Sequence, residues 1–211
     1  MRCCWAYATI GCIEGLMHIT NPRQDFTPLS IQQLVDCYDH YESQEAEGGK
    51  PYHAFHYIAY KNQGRVYSEA DYPSRNGNFI VKGECATQML QPTYTIDGFD
   101  AVVEDERSLK GTVRKQPVTA RVASKILRET MDRANHIIRY ADVDKNHKRD
   151  HNVLIVGYGK RDGVKYWKIL NSWGPNVGTN GCFFLERKVD DPCGTAGIAK
   201  KCCYPLKQNF N

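Results

Sequence analysis

Residues 151–174, HNVLIVGYGKRDGVKYWKILNSWG, contain two apolar runs separated by a turn signal. The runs at 151–158 and 165–170 have the length and composition of β-strands. Between them, Lys160-Arg-Asp-Gly163 is typical of a tight hairpin turn, because Asp-Gly readily adopts the positive φ angles that such a turn requires. The stretch therefore predicts an antiparallel hairpin, and a third strand is predicted at 181–186.

Outside this hairpin, the N-terminal part of the chain is predicted to be helical and the C-terminal part rich in strands. Apolar spacing and turn residues predict helices at 4–19, 31–37 and 51–62, a polar helix at 104–115, and strands at 93–97 and 118–122. Ser30 and Gln33 form a capping-box pattern before the second helix. No element is predicted within 124–150. This pattern indicates an α+β fold with two segregated halves.

Composition excludes several classes of protein. The 211 residues suit one domain or two halves that share a core, and no apolar run is long enough to span a membrane. The first residues of this chain lack the apolar region of a secretory signal. The net charge of +4 is spread along the chain and gives no support for nucleic-acid binding. Nine cysteines favour an oxidising compartment, and the odd number leaves at least one outside an intramolecular bridge.

Three positions could carry nucleophilic chemistry. Cys4 stands at the start of a predicted helix, where the helix dipole stabilises a thiolate, although a lone cysteine there is also compatible with a buried structural role. His151 stands at the beginning of a strand and is either a reactive imidazole or a surface histidine. Asn171, in Asn171-Ser-Trp-Gly174, either accepts a hydrogen bond from an imidazole or belongs to an ordinary turn.

Taken together, these positions resemble a known family. His151 follows Cys4 by 147 residues and Asn171 follows His151 by 20, an order and spacing similar to those of papain and the cathepsins. The chain is identified as a member of the papain-like (C1-type) cysteine peptidases. Further short sequence motifs resemble those of the family and occur in the same order along the chain. They are Cys4-Trp-Ala-Tyr7, LSIQQLVDC at 29–37, Glu47-Gly-Gly49, Asp71-Tyr-Pro73, Gln116-Pro-Val118, HNVLIVGYG at 151–159, Asn171-Ser-Trp-Gly174, Asn180-Gly181 and Tyr204-Pro205.

The resemblance implies a two-lobed α+β fold. It consists of a helical left lobe and an antiparallel, β-barrel-like right lobe, with the active site in the cleft between them. In this single peptidase domain, we expect a mainly helical lobe at 1–91, a β-rich lobe at 92–190 and a C-terminal segment at 191–211 that returns to the helical lobe.

The resemblance also implies the roles of individual residues. Cys4 is expected to be the nucleophile, His151 the base and then the acid, and Asn171 the residue that orients His151. The implied reaction is attack on a peptide carbonyl, formation of an acyl-thioester and hydrolysis. Trp5 and Trp173 are expected to be supporting residues, and Trp173 shields the hydrogen bond between His151 and Asn171. Gly48 and Gly49 are expected along the substrate cleft. Asn152 and Lys201 are expected in the specificity pocket.

No cofactor or metal is implied. His53 and His56 lie one helical turn apart and are interpreted as surface histidines rather than metal ligands. The expected partners are peptide or protein substrates and proteinaceous inhibitors of the cystatin type. Neither a nucleic acid nor a membrane is expected as a partner, and the protein is expected to be a monomer. The resemblance implies a vacuolar, lysosomal or extracellular location.

The sequence also departs from the family pattern. The family has an oxyanion-hole glutamine six residues before the nucleophile, a position that falls before Met1, so the sequence as it stands predicts a member truncated at its N-terminus that turns over peptides poorly. One family disulfide is lost, because Met1 and Ala46 occupy its positions, whereas Cys37 and Cys85 match another pair and are predicted to be bridged. The alternative is therefore an impaired or inactive papain-like protein that keeps the fold as a binding or vestigial module.

Overall fold

The structure is a computed structural model that describes residues 3–38, 49–75, 80–144, 146 and 148–208. The chain forms two compact units. The first comprises residues 1–100 together with 204–211, and the second comprises residues 101–203. None of the helices in the described residues is long and apolar enough to cross a membrane.

Helices dominate the first unit. They are α1 (Cys4–Thr20), α2 (Ile31–Cys37) and α3 (Pro51–His56), which continues as a π-helical turn over Tyr57–Lys61. The strands β1 (Arg65–Val66) and β2 (Tyr94–Thr95) pair antiparallel, and β3 (Gly98–Ala101) follows at the end of the unit. The three predicted helices are confirmed, whereas the strand predicted at 93–97 is reduced to two residues.

A capping residue begins α2 as the sequence predicted. Ser30 Oγ accepts the backbone N–H of Gln33 at 3.0 Å. The Gln33 side chain does not complete the capping box, because its amide donates to the Arg65 carbonyl and accepts from the Tyr67 N–H. Gln33 therefore links α2 to β1 and fixes how this buried helix packs.

Strands dominate the second unit. In chain order its elements are α4 (Glu106–Val113), β4 (Val118–Val122), α5 (Ser124–Glu129), β5 (Ile137–Ile138), β6 (His151–Arg161), β7 (Val164–Leu170) and β8 (Cys182–Glu186). Cys203, the first residue of β9 (Cys203–Leu206), pairs with Thr119 of β4. The sheet order is β4-β6-β7-β8-β5, antiparallel except for the β5–β8 pair. In the described residues this is an open sheet rather than a closed barrel, and the α+β class is confirmed.

The predicted hairpin joins β6 to β7. Arg161 pairs with Val164, and the two residues between them, Asp162 and Gly163, have φ angles of 48° and 79°. Positive φ at both central residues matches the right-handed twist of the flanking strands, as in a type I′ turn. The register shifts between Ile155 and Gly157, where the hairpin contains a bulge.

One disulfide links α2 to the segment that follows Tyr72. Cys37 and Cys85 are bridged with their Cα atoms 4.7 Å apart, as predicted. The preceding residue, Asp36, is buried and accepts hydrogen bonds from the Tyr72 hydroxyl at 2.9 Å and the Gly83 N–H at 2.6 Å. Covalent and polar links therefore hold the same two segments together. The other seven cysteines carry thiols: Cys3, Cys4, Cys12, Cys182, Cys193, Cys202 and Cys203.

Candidate active site

Cys4 occupies the first position of the 17-residue helix α1. The carbonyl of Cys3 accepts the N–H groups of Ala6 and Tyr7, at 2.9 and 3.1 Å, and so closes the first turn. The positive end of the helix dipole therefore lies at Cys4, whose side chain is half-buried. Such a position stabilises a thiolate and leaves its sulfur accessible.

The adjacent thiol of Cys3 has a different environment. Cys3 is buried, and burial raises the pKa of its thiol above the ordinary value. A buried thiol with a raised pKa remains protonated near neutral pH and is a poor nucleophile. Of the two neighbours, Cys4 is therefore the better candidate.

Trp5 explains why glycine is required at position 49. Its indole is buried and packs edge-to-face against Tyr38, with the ring centroids 5.5 Å apart. A Cβ atom on Gly49 would lie 2.7 Å from Cδ2 of this indole, closer than real contacts allow. Gly49 therefore lets the chain pass directly over Trp5. The other predicted glycine, Gly48, lies outside the described residues.

His151 and Asn171 are brought together by the hairpin. His151 begins β6 and Asn171 directly follows β7, and the pairing of Leu154 with Leu170 places these two strand ends side by side. Nε2 of His151 lies 2.7 Å from Oδ1 of Asn171. Because an amide oxygen only accepts, Nε2 carries the proton, and the lone pair of the neutral ring is on Nδ1. The hydrogen bond thus orients the His151 ring and makes Nδ1 its basic nitrogen.

An aromatic ring lies next to this hydrogen bond. The centroids of the Trp173 and His151 rings are 5.0 Å apart, and Phe183 meets Trp173 edge-on at 6.4 Å. His151 itself is only 6% exposed. Burial among aromatic rings limits competition from water and so strengthens the hydrogen bond to Asn171.

The helix α5 supports the same residues from a second side. The carboxylate of Asp150, which precedes His151, accepts the backbone N–H and the hydroxyl of Ser124 at 2.7 and 2.9 Å. Burial alone would raise the pKa of Asp150, but these hydrogen bonds outweigh it and lower the pKa below its usual value. At the other end of α5, the guanidinium of Arg128 lies 5.8 Å from the centroid of the Trp173 ring.

Two residues predicted for a specificity pocket also lie in the second unit. Asn152 is buried and pairs with Arg121 across β4 and β6. Lys201 is exposed, with a φ of 55°, and its N–H donates to Glu104 Oε1 at 3.1 Å.

The predicted surface histidines of α3 are associated with aromatic rings. The ring of His53 lies edge-on to Tyr52, with centroids 5.8 Å apart, and that of His56 lies edge-on to Tyr60 at 5.0 Å. Within the described part of the chain, no group of three His, Cys, Asp or Glu side chains is arranged to hold a metal ion.

The profile of the papain family cysteine proteases matches residues 2–206. The chain belongs to this family. Among the papain-family relatives, a probable cysteine protease RDL2 of Arabidopsis thaliana is 36% identical over 210 residues, which are 98% of this chain and 55% of the relative. Vignain of Ricinus communis is 36% identical, and the matched region covers 99% of this chain and 55% of vignain. The chain thus spans about half the length of these curated relatives.

Solved structures of the papain family agree with the fold. The bromelain protease of Ananas comosus, determined in complex with the inhibitor E64, superposes with a TM-score of 0.83 at 30% identity, covering 98% of this chain and 90% of that one. A cysteine protease of Carica candamarcensis, also in complex with E-64, gives 0.77 at 27% identity, covering 98% and 89%.

Two supporting residues escaped the sequence analysis, namely Ser124 and Arg128. Both belong to α5, which has only six residues and lies in the segment where no element was predicted. The local signal was weak because a six-residue helix shows too few turns for a clear apolar period. No capping signal was present either, because Ser124 is the first residue of α5 and the cap position is occupied by Ala123.

Proposed function

We propose that the chain is a cysteine-type endopeptidase in which Cys4 is the nucleophile and His151 its general base. One observation carries the proposal: the 2.7 Å contact between His151 Nε2 and Asn171 Oδ1 beside Trp173. It orients the imidazole, leaves Nδ1 as the basic atom and restricts water. Family membership and the position of Cys4 at the start of α1 support the same assignment.

The proposed reaction has two stages. The thiolate of Cys4 attacks the peptide carbonyl carbon, and the imidazolium of His151 protonates the departing amine, which leaves an acyl-thioester. His151 then takes a proton from the water that attacks the thioester, which releases the carboxylic acid and restores the Cys4 thiolate and the His151 imidazolium. The backbone N–H of Cys4, at the start of the helix, donates to the developing oxyanion.

We further propose that the substrate pocket accepts polar or acidic side chains. Asn152 and Lys201 replace the small or apolar residues that would suit a phenylalanine or a leucine. The competing arrangement is an apolar pocket from which Lys201 extends its ammonium group into solvent. A peptide library separates the two, because preferential cleavage after Phe-X or Leu-X would contradict a polar pocket.

The proposed setting is an oxidising compartment, vacuolar, lysosomal or extracellular. The Cys37–Cys85 disulfide supports it, since such bridges persist where thiols are not kept reduced. In that setting we expect a monomer that acts on peptides or proteins and is inhibited by proteins of the cystatin type.

Covalent labelling tests the catalytic assignment. The native chain is treated with the epoxide E-64, digested, and the modified peptide is mapped by mass spectrometry. We expect one label, on Cys4, that disappears in Cys4→Ser and is strongly slowed in His151→Ala. Cys193→Ser is the matched control, because Cys193 is the other half-buried thiol among the described cysteines.

Turnover of a fluorogenic peptide by the same variants completes the test. We expect activity in the native chain and in Cys193→Ser but none in Cys4→Ser. A native chain that neither reacts with E-64 nor cleaves any member of a peptide library would contradict the proposal and favour a non-catalytic role.

A further inference from the structure

A row of positive charges crosses β6, β7 and the residue that directly follows β8. Lys160 of β6 pairs directly with Lys165 of β7. On the other side of β7, the N–H of Arg187 donates to the Lys165 carbonyl at 2.8 Å. Like charges directly opposite each other destabilise a sheet. The row spans two strand spacings, about 10 Å, and presents its three side chains on one face.

Two further cations extend this row into a basic face, which we define as Lys110, Lys160, Lys165, Arg187 and Lys188. The charge of Lys188 is the main cause of a lowered pKa at Lys165, with partial burial and the charges of Arg187, Lys160 and Lys110 adding to it. Cations placed this close together repel one another.

The nearby carboxylates offset only part of the charge of the basic face, and Glu106 attracts Arg187. Glu106 is engaged with the Trp167 indole N–H and the Lys188 backbone N–H, both at 2.7 Å. Asp162 lies in the hairpin turn beyond Lys160. In the part of the chain that the structure describes, none of the five cations belongs to an ion pair.

Aromatic rings form the floor of the basic face. The guanidinium of Arg187 lies 5.1 Å from the ring centroid of Tyr158 and 5.3 Å from that of Trp167. The ammonium of Lys110 lies 5.3 Å from the Tyr158 centroid. Trp167 is buried, whereas Tyr158 is half-exposed. The face thus combines five cations with a partly accessible aromatic ring on one side of the sheet.

We propose that the basic face binds an acidic polysaccharide. Its carboxylate or sulfate groups would pair with the lysine and arginine side chains. Tyr158, whose ring contacts both Arg187 and Lys110, would hold these two cations in place. A flat, short row of cations suits a flexible polyanionic chain. The disulfide-compatible compartment favours a polysaccharide over a nucleic acid as the polyanion.

The basic face lies far from the proposed catalytic residues of the same unit. Lys160 follows His151 by nine residues along β6, which corresponds to about 30 Å of strand. His151 and Asn171 lie at one end of the hairpin and Lys160 and Lys165 at the other. A polysaccharide bound to the basic face leaves His151 uncovered. Binding would therefore tether the protein to an anionic matrix without blocking the proposed catalytic residues of this unit.

Binding to defined oligosaccharides tests the proposal. The intact chain is titrated with a heparin dodecasaccharide and with an oligogalacturonate of twelve sugars at 50 and 200 mM salt. We expect binding to at least one of them, weakened at least tenfold in Lys160→Ser/Lys165→Ser/Lys188→Ser. Loss of three contacts to anionic groups should also reduce the magnitude of the slope of log K against log salt concentration by about two to three. No binding to either probe by the native chain would overturn the proposal.

A matched variant controls for net charge. Lys61→Ser/Lys115→Ser/Lys125→Ser removes three exposed lysines outside the basic face, and we expect it to bind as the native chain does. Tyr158→Ala should weaken binding several-fold without changing the salt slope. Equal losses in the two triple variants, or tighter binding of duplex DNA with the same charge, would overturn the proposal. Turnover of a small peptide should be unchanged in the basic-face variant, which separates this test from that of the peptidase activity.

Discussion

At the scale of the residue, the environment of His151 depends on two other segments, the end of the hairpin and α5. Asn171 comes from the end of β7, Trp173 follows it, and Ser124 of α5 binds the preceding Asp150. His151 and Asn171 were predicted from their spacing and from the short sequence motifs around them. Arg128 and Ser124 were not, because their role depends on the packing of α5 against the start of β6.

Arg128 is expected to position Trp173. Replacing Arg128 with Ala removes the cation over the indole, a contact worth about 0.5–1 kcal/mol, and should lower kcat/KM about two- to fivefold. Arg128→Lys should recover part of this loss. Steady-state kinetics and the melting temperature are measured together, with Arg107→Ala on the exposed face of α4 as the control. An unchanged kcat/KM in Arg128→Ala would contradict the positioning role.

The hydrogen bonds from Ser124 to Asp150 make stability depend on pH. The pKa of Asp150 is lower in the folded chain than its ordinary value of 3.8. These bonds therefore stabilise the folded chain at pH values above 3.8, and the stabilisation is lost as the pH falls through the folded pKa. Ser124→Ala should therefore reduce the free energy of unfolding by about 0.5–1 kcal/mol at pH 7, a modest loss because Asp150 is only half-buried. The difference should shrink below pH 3.8.

Urea unfolding at pH 7 and at pH 3 measures this difference. Thr27→Ala is the control, because the Thr27 hydroxyl donates to a backbone carbonyl and not to a carboxylate. A Ser124→Ala deficit of the same size at both pH values would show that Asp150 is not the responsible group.

At the scale of the element, the long periodic segments were predictable, whereas the short α5 and β5 were not. The helix α1 and the hairpin of β6 and β7 agree with their predicted positions within a few residues. By contrast, β5 has two residues and exists because it pairs in parallel with β8, a partner more than 40 residues away. Two residues carry no period, so no local pattern could have indicated that strand.

Two glycines in similar open space should respond oppositely to alanine. A Cβ atom would meet nothing within 4 Å at either Gly163 or Gly111. Gly163 has a φ of +79° in the hairpin turn, so Gly163→Ala should lower the free energy of unfolding by about 1–2 kcal/mol. Gly111 lies inside α4, where Gly111→Ala should raise it by about 0.5–1 kcal/mol.

Chemical denaturation of the two single variants and of the double variant provides the measurement. The residues lie in different elements, so their effects should add. Destabilisation of the chain by Gly111→Ala would show that packing around α4 outweighs helix propensity.

At the scale of the whole molecule, a single bridge restrains the unfolded chain. The Cys37–Cys85 disulfide closes a separation of 48 residues. Its reduction should lower the free energy of unfolding by about 2–4 kcal/mol, because the reduced unfolded chain gains conformational freedom. We expect the urea midpoint of the native chain to fall when a reductant is added.

Cys37→Ala/Cys85→Ala is the control for this measurement. Its midpoint should equal that of the reduced native chain and should not respond to reductant. The buried thiols Cys12, Cys202 and Cys203 are retained in both proteins, so they cancel in the comparison. A native midpoint that is identical with and without reductant would refute the stabilising role.

The sequence by itself determined the family, the α+β class, the long helices, the hairpin and the Cys37–Cys85 pair, and it predicted Cys4, His151 and Asn171 as the catalytic residues. These features depend on local periodicity, turn chemistry and residue order, all of which are present in a linear chain. Tertiary structure alone decided the hydrogen bond that orients His151, the place of α5 beside it, the contact that makes Gly49 necessary and the row of cations across β6, β7 and the residue after β8. Each of these joins residues that are distant in sequence, and only the register of the sheet and the packing of the core bring them together.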